Sequence, residues 1–231
     1  LGMAIGRQEL VERLERLDAT AARLGMMERT VPVTFDDGWA DPLCLVDRFP
    51  CWKHLQPVVF LTARHMEGER ALLPLPRLYD WCAATGVALE DLREAGLTRE
   101  GLKALPEAQQ HAWLDRIGVD HRTDSGEVLT SAQVSELANS GWLIASHGHD
   151  HHDLRRDAEE SLAAGLERAI QAVRAIGGEL WLAWPEGRCT ADSCRIARRV
   201  GFRRQFSLRI EAGGLEAPDL THRDLWRPGG A

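Results

Sequence analysis

The chain has 231 residues, 44% apolar and 27% charged, with a formal net charge of -7. That is enough chain for one full-sized α/β core, and the composition is ordinary for a globular enzyme. No apolar run approaches the length of a bilayer span, and no cluster of Lys and Arg could track a phosphate backbone, which argues against a membrane span and against nucleic acid as a partner.

Nothing at the N-terminus has the form of a signal peptide, an expectation that favours the cytoplasm; the opening Leu1-Gly2-Met3 lacks an initiator Met and suggests an excerpted domain. The five cysteines, Cys44, Cys51, Cys82, Cys189 and Cys194, cannot all pair within one chain and lack the paired C-x-x-C spacing of structural zinc. Most are read as reduced core residues, although Cys189 and Cys194 flank a turn that a bridge could span.

In chain order, Leu10, Leu14, Leu17, Ala21 and Leu24 recur at helical spacing, and this first helix ends near Gly25. Val31 to Phe35 reads as a buried strand that stops at Asp36-Asp37-Gly38. A helical connection through Leu45 to Leu55 leads to a second strand, Pro57 to Thr62. From about residue 67 to 127 the strand–helix rhythm lapses. Leu78, Trp81 and Cys82, then Ala108, Trp113, Leu114 and Ile117, suggest a helical insertion beside the main fold.

Thr130 and Gln133 have the form of a capping box, and Gly141 supplies a helix stop. Trp142 to Ser146 is the third strand and runs into a histidine cluster. Leu162, Leu166, Ile170 and Val173 mark another amphipathic helix, closed by Gly177-Gly178. Leu180 to Trp184 is the fourth strand, followed by Pro185-Glu186-Gly187. Each polar cluster thus follows a strand, where α/β enzymes place their chemistry.

Asp36 and Asp37 are adjacent carboxylates at a strand end, and Gly38 lets the backbone turn away behind them. Successive side chains diverge, so one can bind a cation while its neighbour faces a water. The segment Ser146-His147-Gly148-His149-Asp150-His151-His152-Asp153 holds four of the nine histidines. On a helical turn His147 and His151 share a face, and so do His149 and Asp153, so spacing alone does not choose the ligands. Two imidazoles and one carboxylate make an open three-ligand site. Trp39 and Trp184 flank these clusters, where they could form a groove wall or simply pack at the rim.

The ordered set of segments resembles the polysaccharide deacetylase (NodB-homology) family, closest to its poly-N-acetylglucosamine deacetylase-like members. Thr34-Phe35-Asp36-Asp37-Gly38 is similar to its first motif, Ser146 to His151 to its histidine motif, and Trp184-Pro185-Glu186-Gly187 to its third; the strand around Phe60 also fits, so the matches run from Val31 to about Arg209. The resemblance implies a distorted α/β barrel of about seven parallel strands, with the whole of residues 1–231 forming one catalytic domain and the helical insertion at about 67–127. It implies a divalent metal, foremost Zn2+, held by Asp37, His147 and His151, with Asp36 as catalytic base. Trp39, Trp184, Pro185, Glu186 and Gly187 would line the groove for a carbohydrate bearing N-acetyl groups. Action on another amide or on an O-acetyl ester, or a catalytically impaired carbohydrate-binding role, are the alternatives.

The chain departs from that pattern in three places. Gly148 stands where the family has Ser or Thr, whose hydroxyl braces the metal-binding loop. Glu186 replaces an aromatic residue, and Ala183 and Trp184 occupy the region of the Arg that orients the base. No late Asp/Trp or Leu-x-His motif is taken as a match; His222 is the only late histidine and is read as a surface residue.

Overall fold

The computed structural model describes residues 6–68, 72–93, 96, 98–119, 128–209 and 211–224. Helix α1 (Arg7–Arg23) buries Leu14 and Ala21 of the expected stripe, together with Val11; Leu10 and Leu17 are partly buried, and Leu24, past the last turn, is exposed. Six strands follow: β1 (Val31–Phe35), β2 (Leu55–Leu61), β3 (Leu143–Ser146), β4 (Trp181–Ala183), β5 (Arg204–Leu208) and β6 (Leu220–Arg223). They pair side by side in sequence order, every pair parallel. The sheet has six strands among the described residues, against the seven or so expected, and no ladder joins β6 to β1. The connection through Leu45 to Leu55 forms two 3-10 turns, Asp41–Leu45 and Phe49–Cys51, in place of a regular helix. Each carries a Pro at its start, and Pro50 withholds an N–H just where a longer helix would need one.

Strand alternation divides the apolar residues between two faces. Val58 and Phe60 join Ala145, Ala183 and Phe206 on the concave side of the sheet. Val59, Leu61, Ile144 and Leu182 face the larger layer, against helix α7 (Glu159–Ala175) and helix α8 (Ala191–Val200). Helix α6 (Ser131–Asn139) begins with the expected capping box on Thr130 and Gln133. Cys189 and Cys194 are both free and buried; no bridge joins them. No described helix is long and apolar enough to cross a membrane.

Between β2 and α6 the chain leaves the barrel. A short helix, α2 (Ala63–Met66), is followed by α3 (Pro74–Thr85), α4 (Arg99–Lys103) and α5 (Glu107–Arg116). The segment from α3 to Val119 closes over a core of its own, Leu75, Leu78, Leu92, Leu102, Leu114 and Val119, whereas Ala63 and Met66 of α2 pack into the barrel core. The buried Arg77 of α3 donates to the Asp115 carboxylate at 2.8 Å and to the Val119 carbonyl at 2.9 Å, tying α3 to α5. The parallel strands direct the ends of β1, β3, β4 and β6 to one side of the sheet, and the polar clusters gather there.

Candidate metal centre

β1 delivers Asp36 and Asp37, and the chain then turns sharply. Asp37 has φ of 68° and Gly38 φ of 73°. A non-glycine residue in this region is strained by about 1–3 kcal/mol, a cost found mainly at functional sites. Gly38 has a second reason to lack a side chain: a Cβ there would sit 2.9 Å from both His65 Nδ1 and Leu61 Cδ2. The turn is pinned from outside, since the Leu129 N–H donates to the Gly38 carbonyl at 2.9 Å and Trp39 forms an antiparallel bridge with Val128.

The histidine segment after β3 is an irregular loop, not the helical turn that would align residues four apart; Gly148, with φ of 87°, bends it. The loop nevertheless brings the His147 and His151 rings to a centroid separation of 5.1 Å. His147 Nε2 lies 3.2 Å and His151 Nε2 3.1 Å from Asp37 Oδ1. One donor atom from each of Asp37, His147 and His151 falls within 4.8 Å of the other two. The competing pair is otherwise engaged: His149 Nδ1 meets Asp150 at 2.8 Å, and the Asp153 carboxylate binds Arg155 at 2.6 and 2.8 Å.

These donors fit a cation better than one another. His147 Nδ1 is 2.8 Å from the Ala183 carbonyl, which can only accept, so this nitrogen carries the proton and Nε2 presents a lone pair. Asp37 Oδ1 is buried with no hydrogen-bond partner despite its two imidazole neighbours. Buried oxygens are rarely left so. Two imidazole nitrogens and one carboxylate oxygen converging on a single point are the donor set of an open His-His-carboxylate metal site. The charges interact strongly: burial raises the Asp37 pKa, but His151 and His147 outweigh it and hold the carboxyl well below its usual range. Burial opposes the charge on His151 too, yet Asp37 carries its pKa up to about 9.

Asp36 has a separate partner that the sequence did not reveal. Arg223, at the end of β6, donates to Asp36 Oδ1 at 2.7 Å and Oδ2 at 2.8 Å, and to the Thr34 hydroxyl at 2.9 Å. It therefore bridges the unpaired edges of β6 and β1 and fixes the carboxylate plane as only a forked guanidinium can. Burial works against ionised Asp36, but Arg223 and then His147 keep its carboxyl below the ordinary value. The Arg missing before the third motif thus has a counterpart from the opposite end of the chain. Its one sequence signal is its place at the end of a short apolar–polar alternation. His222, the adjacent residue, points elsewhere: its ring meets Ser207 Oγ at 2.9 Å and the Leu215 carbonyl at 2.8 Å. With a side chain 9% exposed it is not the surface residue expected, and the segment Leu220-Thr221-His222 does have the Leu-x-His form.

The residues expected to line a groove divide. Trp39 is half-buried at the rim. Trp184 is wholly buried, its Nε1 donating to Gln205 Oε1 at 3.0 Å, so the expected sugar-stacking face is packed into the core. Pro185 and Gly187 are buried too. Gly187 admits no side chain, because a Cβ would come 2.6 Å from the Leu208 nitrogen. Glu186 is partly exposed, has φ of 58°, and forms an ion pair with the buried Lys103 of α4.

Comparison with known proteins places this geometry. The family profile described as "Polysaccharide deacetylase" matches residues 25–204. No curated protein sequence matches. Among solved structures, a de-N-acetylase from Aggregatibacter actinomycetemcomitans is 15% identical with a TM-score of 0.53, covering 90% of this chain and 76% of its own. The BpsB deacetylase domain from Bordetella bronchiseptica is 16% identical with a TM-score of 0.52, covering 89% and 78%. The deacetylase PplD of Streptococcus pyogenes, in complex with acetate, is 13% identical with a TM-score of 0.45; the match covers 84% of this chain but only 62% of that one. The family profile spans most of the chain, and with it both strand-end motifs that build the centre: the protein belongs to the polysaccharide deacetylase family.

Proposed function

We propose that this chain is a metal-dependent hydrolase that removes N-acetyl groups from a carbohydrate. The observation that carries the reading is the convergence of Asp37, His147 and His151 beside an Asp36 held separately by Arg223. Family membership supplies the reaction class, and the two structures of similar fold are a de-N-acetylase and a deacetylase domain.

Asp37 Oδ1, His147 Nε2 and His151 Nε2 would hold the metal, with Zn2+ the best match to a nitrogen-rich three-ligand set. When bound, a divalent cation supplies a polarised acyl carbonyl and a water acidified toward a pKa of about 7. Asp36 takes the proton of the attacking water. Each of its oxygens accepts one Arg223 N–H and retains a lone pair for that role. Arg223 keeps the carboxylate ionised and aimed. The Glu186 backbone N–H is the candidate donor to the developing oxyanion. Protonated Asp36 then returns its proton to the leaving amine.

Acetate release from an N-acetylglucosamine oligomer tests the reading. The wild-type chain with Zn2+ or Co2+ is expected to release acetate and to stop when chelated. A metal-loaded chain that releases no acetate, but frees formate from an N-formyl substrate or acetate from an O-acetyl ester, would reassign the substrate.

A further inference from the structure

The insertion touches the metal centre through a buried carboxylate that the reaction does not use. Glu107, at the first turn of α5, is 4% exposed and splits its two oxygens between two parts of the barrel. Oε2 accepts the backbone N–H of His151 at 2.7 Å, and Oε1 accepts from Arg64 Nη1 at 2.6 Å, where Arg64 lies on α2 just after β2. The same loop meets the insertion again at the Asp153 N–H, which approaches the Lys103 carbonyl at 3.4 Å. On its barrel side the loop is held by the Ala63 N–H to the Gly148 carbonyl at 2.9 Å and by the Gly148 N–H to Ser146 Oγ at 3.1 Å.

Gly148 is poorly placed to take a side-chain brace. Its φ of 87° strains any side chain, although a Cβ there would make only ordinary contacts, with the Asp150 carbonyl oxygen at 3.4 Å and Leu154 Cδ1 at 3.5 Å. An irregular loop that must hold two imidazoles on one cation needs fixed backbone, because ligand direction follows the outer hydrogen bonds. The segment leaving the insertion, Val128-Leu129, pins the Asp37 turn in the same way.

We propose that Glu107 is a positioning residue for the metal centre, through which the helical insertion clamps the His151 half of the ligand loop. The proposal rests on the reading of Asp37, His147 and His151 as ligands. Its consequence is that metal affinity depends on a residue that touches no metal and sits outside the barrel.

Zn2+ affinity, measured by competition against a chelating dye on the full chain, tests it without any substrate. Glu107→Ala is expected to weaken Zn2+ binding by roughly 10–100-fold, the usual loss for an outer partner of a metal ligand. Glu107→Gln keeps a carbonyl oxygen for the His151 N–H and should recover most of that loss, whereas Glu107→Met, which fills similar space without that acceptor, should not. In the metal-free wild type the His151 amide should exchange with deuterium far more slowly than an open loop amide, a readout that survives if Glu107→Ala fails to fold. Wild-type affinity in Glu107→Ala, or unprotected exchange at His151, overturns the clamp. A wild-type chain that binds no Zn2+ overturns the proposed function instead.

Discussion

The barrel and the insertion are built on different terms. The barrel packs around two apolar layers that follow the alternation of its strands, and its polar residues are sent to one end. The insertion has a small apolar core and meets the site through charges: Glu107 with Arg64 and the His151 amide, Lys103 with Glu186, and Glu100 with Arg188 at 3.0 Å. Apolar burial sets where strand ends fall, and directional contacts from a second core then fix the loops those ends carry. On the proposed reading the barrel supplies the reacting groups, and the insertion supplies restraint.

The comparison breaks most visibly at Asp36. Asp36→Asn should lower turnover by roughly 10²–10⁴-fold while Zn2+ stays bound at wild-type stoichiometry. Metal analysis beside acetate release checks both halves, and retained activity would reassign the base. Next in size, Leu114→Ala removes a wholly buried side chain from the insertion and should cost about 2–5 kcal/mol locally. If the two cores are separable, limited proteolysis will cut first within the insertion, before the barrel unfolds. Simultaneous loss of both would merge them into one cooperative unit.

Arg223→Met sharpens the account of the base, with an expected loss of about 10²-fold in kcat as the carboxylate loses its aim. Arg223 opposes the effect of burial and lowers the Asp36 pKa, so its removal raises that pKa. On the proposed mechanism activity needs ionised Asp36 and fails as pH falls through its pKa; the acidic limb of the rate profile should therefore move to higher pH. The smallest effect concerns the metal. Without it, His151 holds a proton up to about pH 9, against the opposing influence of burial and because of Asp37. Zn2+ must displace that proton, so apparent affinity should rise by about tenfold per pH unit below 9 and level off above it. A titration calorimeter with buffers of different ionisation heat would count the proton released.

Much of the barrel was legible because a parallel strand between helices leaves a local signature. Val31–Phe35 was read at its observed bounds, and β2, β3 and β4 were displaced by no more than two residues. The acidic pair and the histidine cluster were legible as chemistry at strand ends. The choice of His147 and His151 over His149 and Asp153 came from family resemblance, since the loop is not helical and its geometry follows from Gly148 and distant contacts. Arg223 meets Thr34 from 189 residues away, and Glu107 meets His151 from 44 away. No local pattern encodes such pairs. Trp184 misled for a related reason: a tryptophan at a strand end serves a groove or a core equally well, and the Gln205 that receives its Nε1 lies on the next strand.

The central claim is tested most directly by anomalous diffraction at the zinc edge from crystals of the full chain grown with Zn2+. The account predicts one peak per chain, within bonding reach of Asp37 Oδ1, His147 Nε2 and His151 Nε2 together, with Asp36 still held by Arg223. A peak centred on His149 and Asp153, or none at the Asp37 turn, would contradict it.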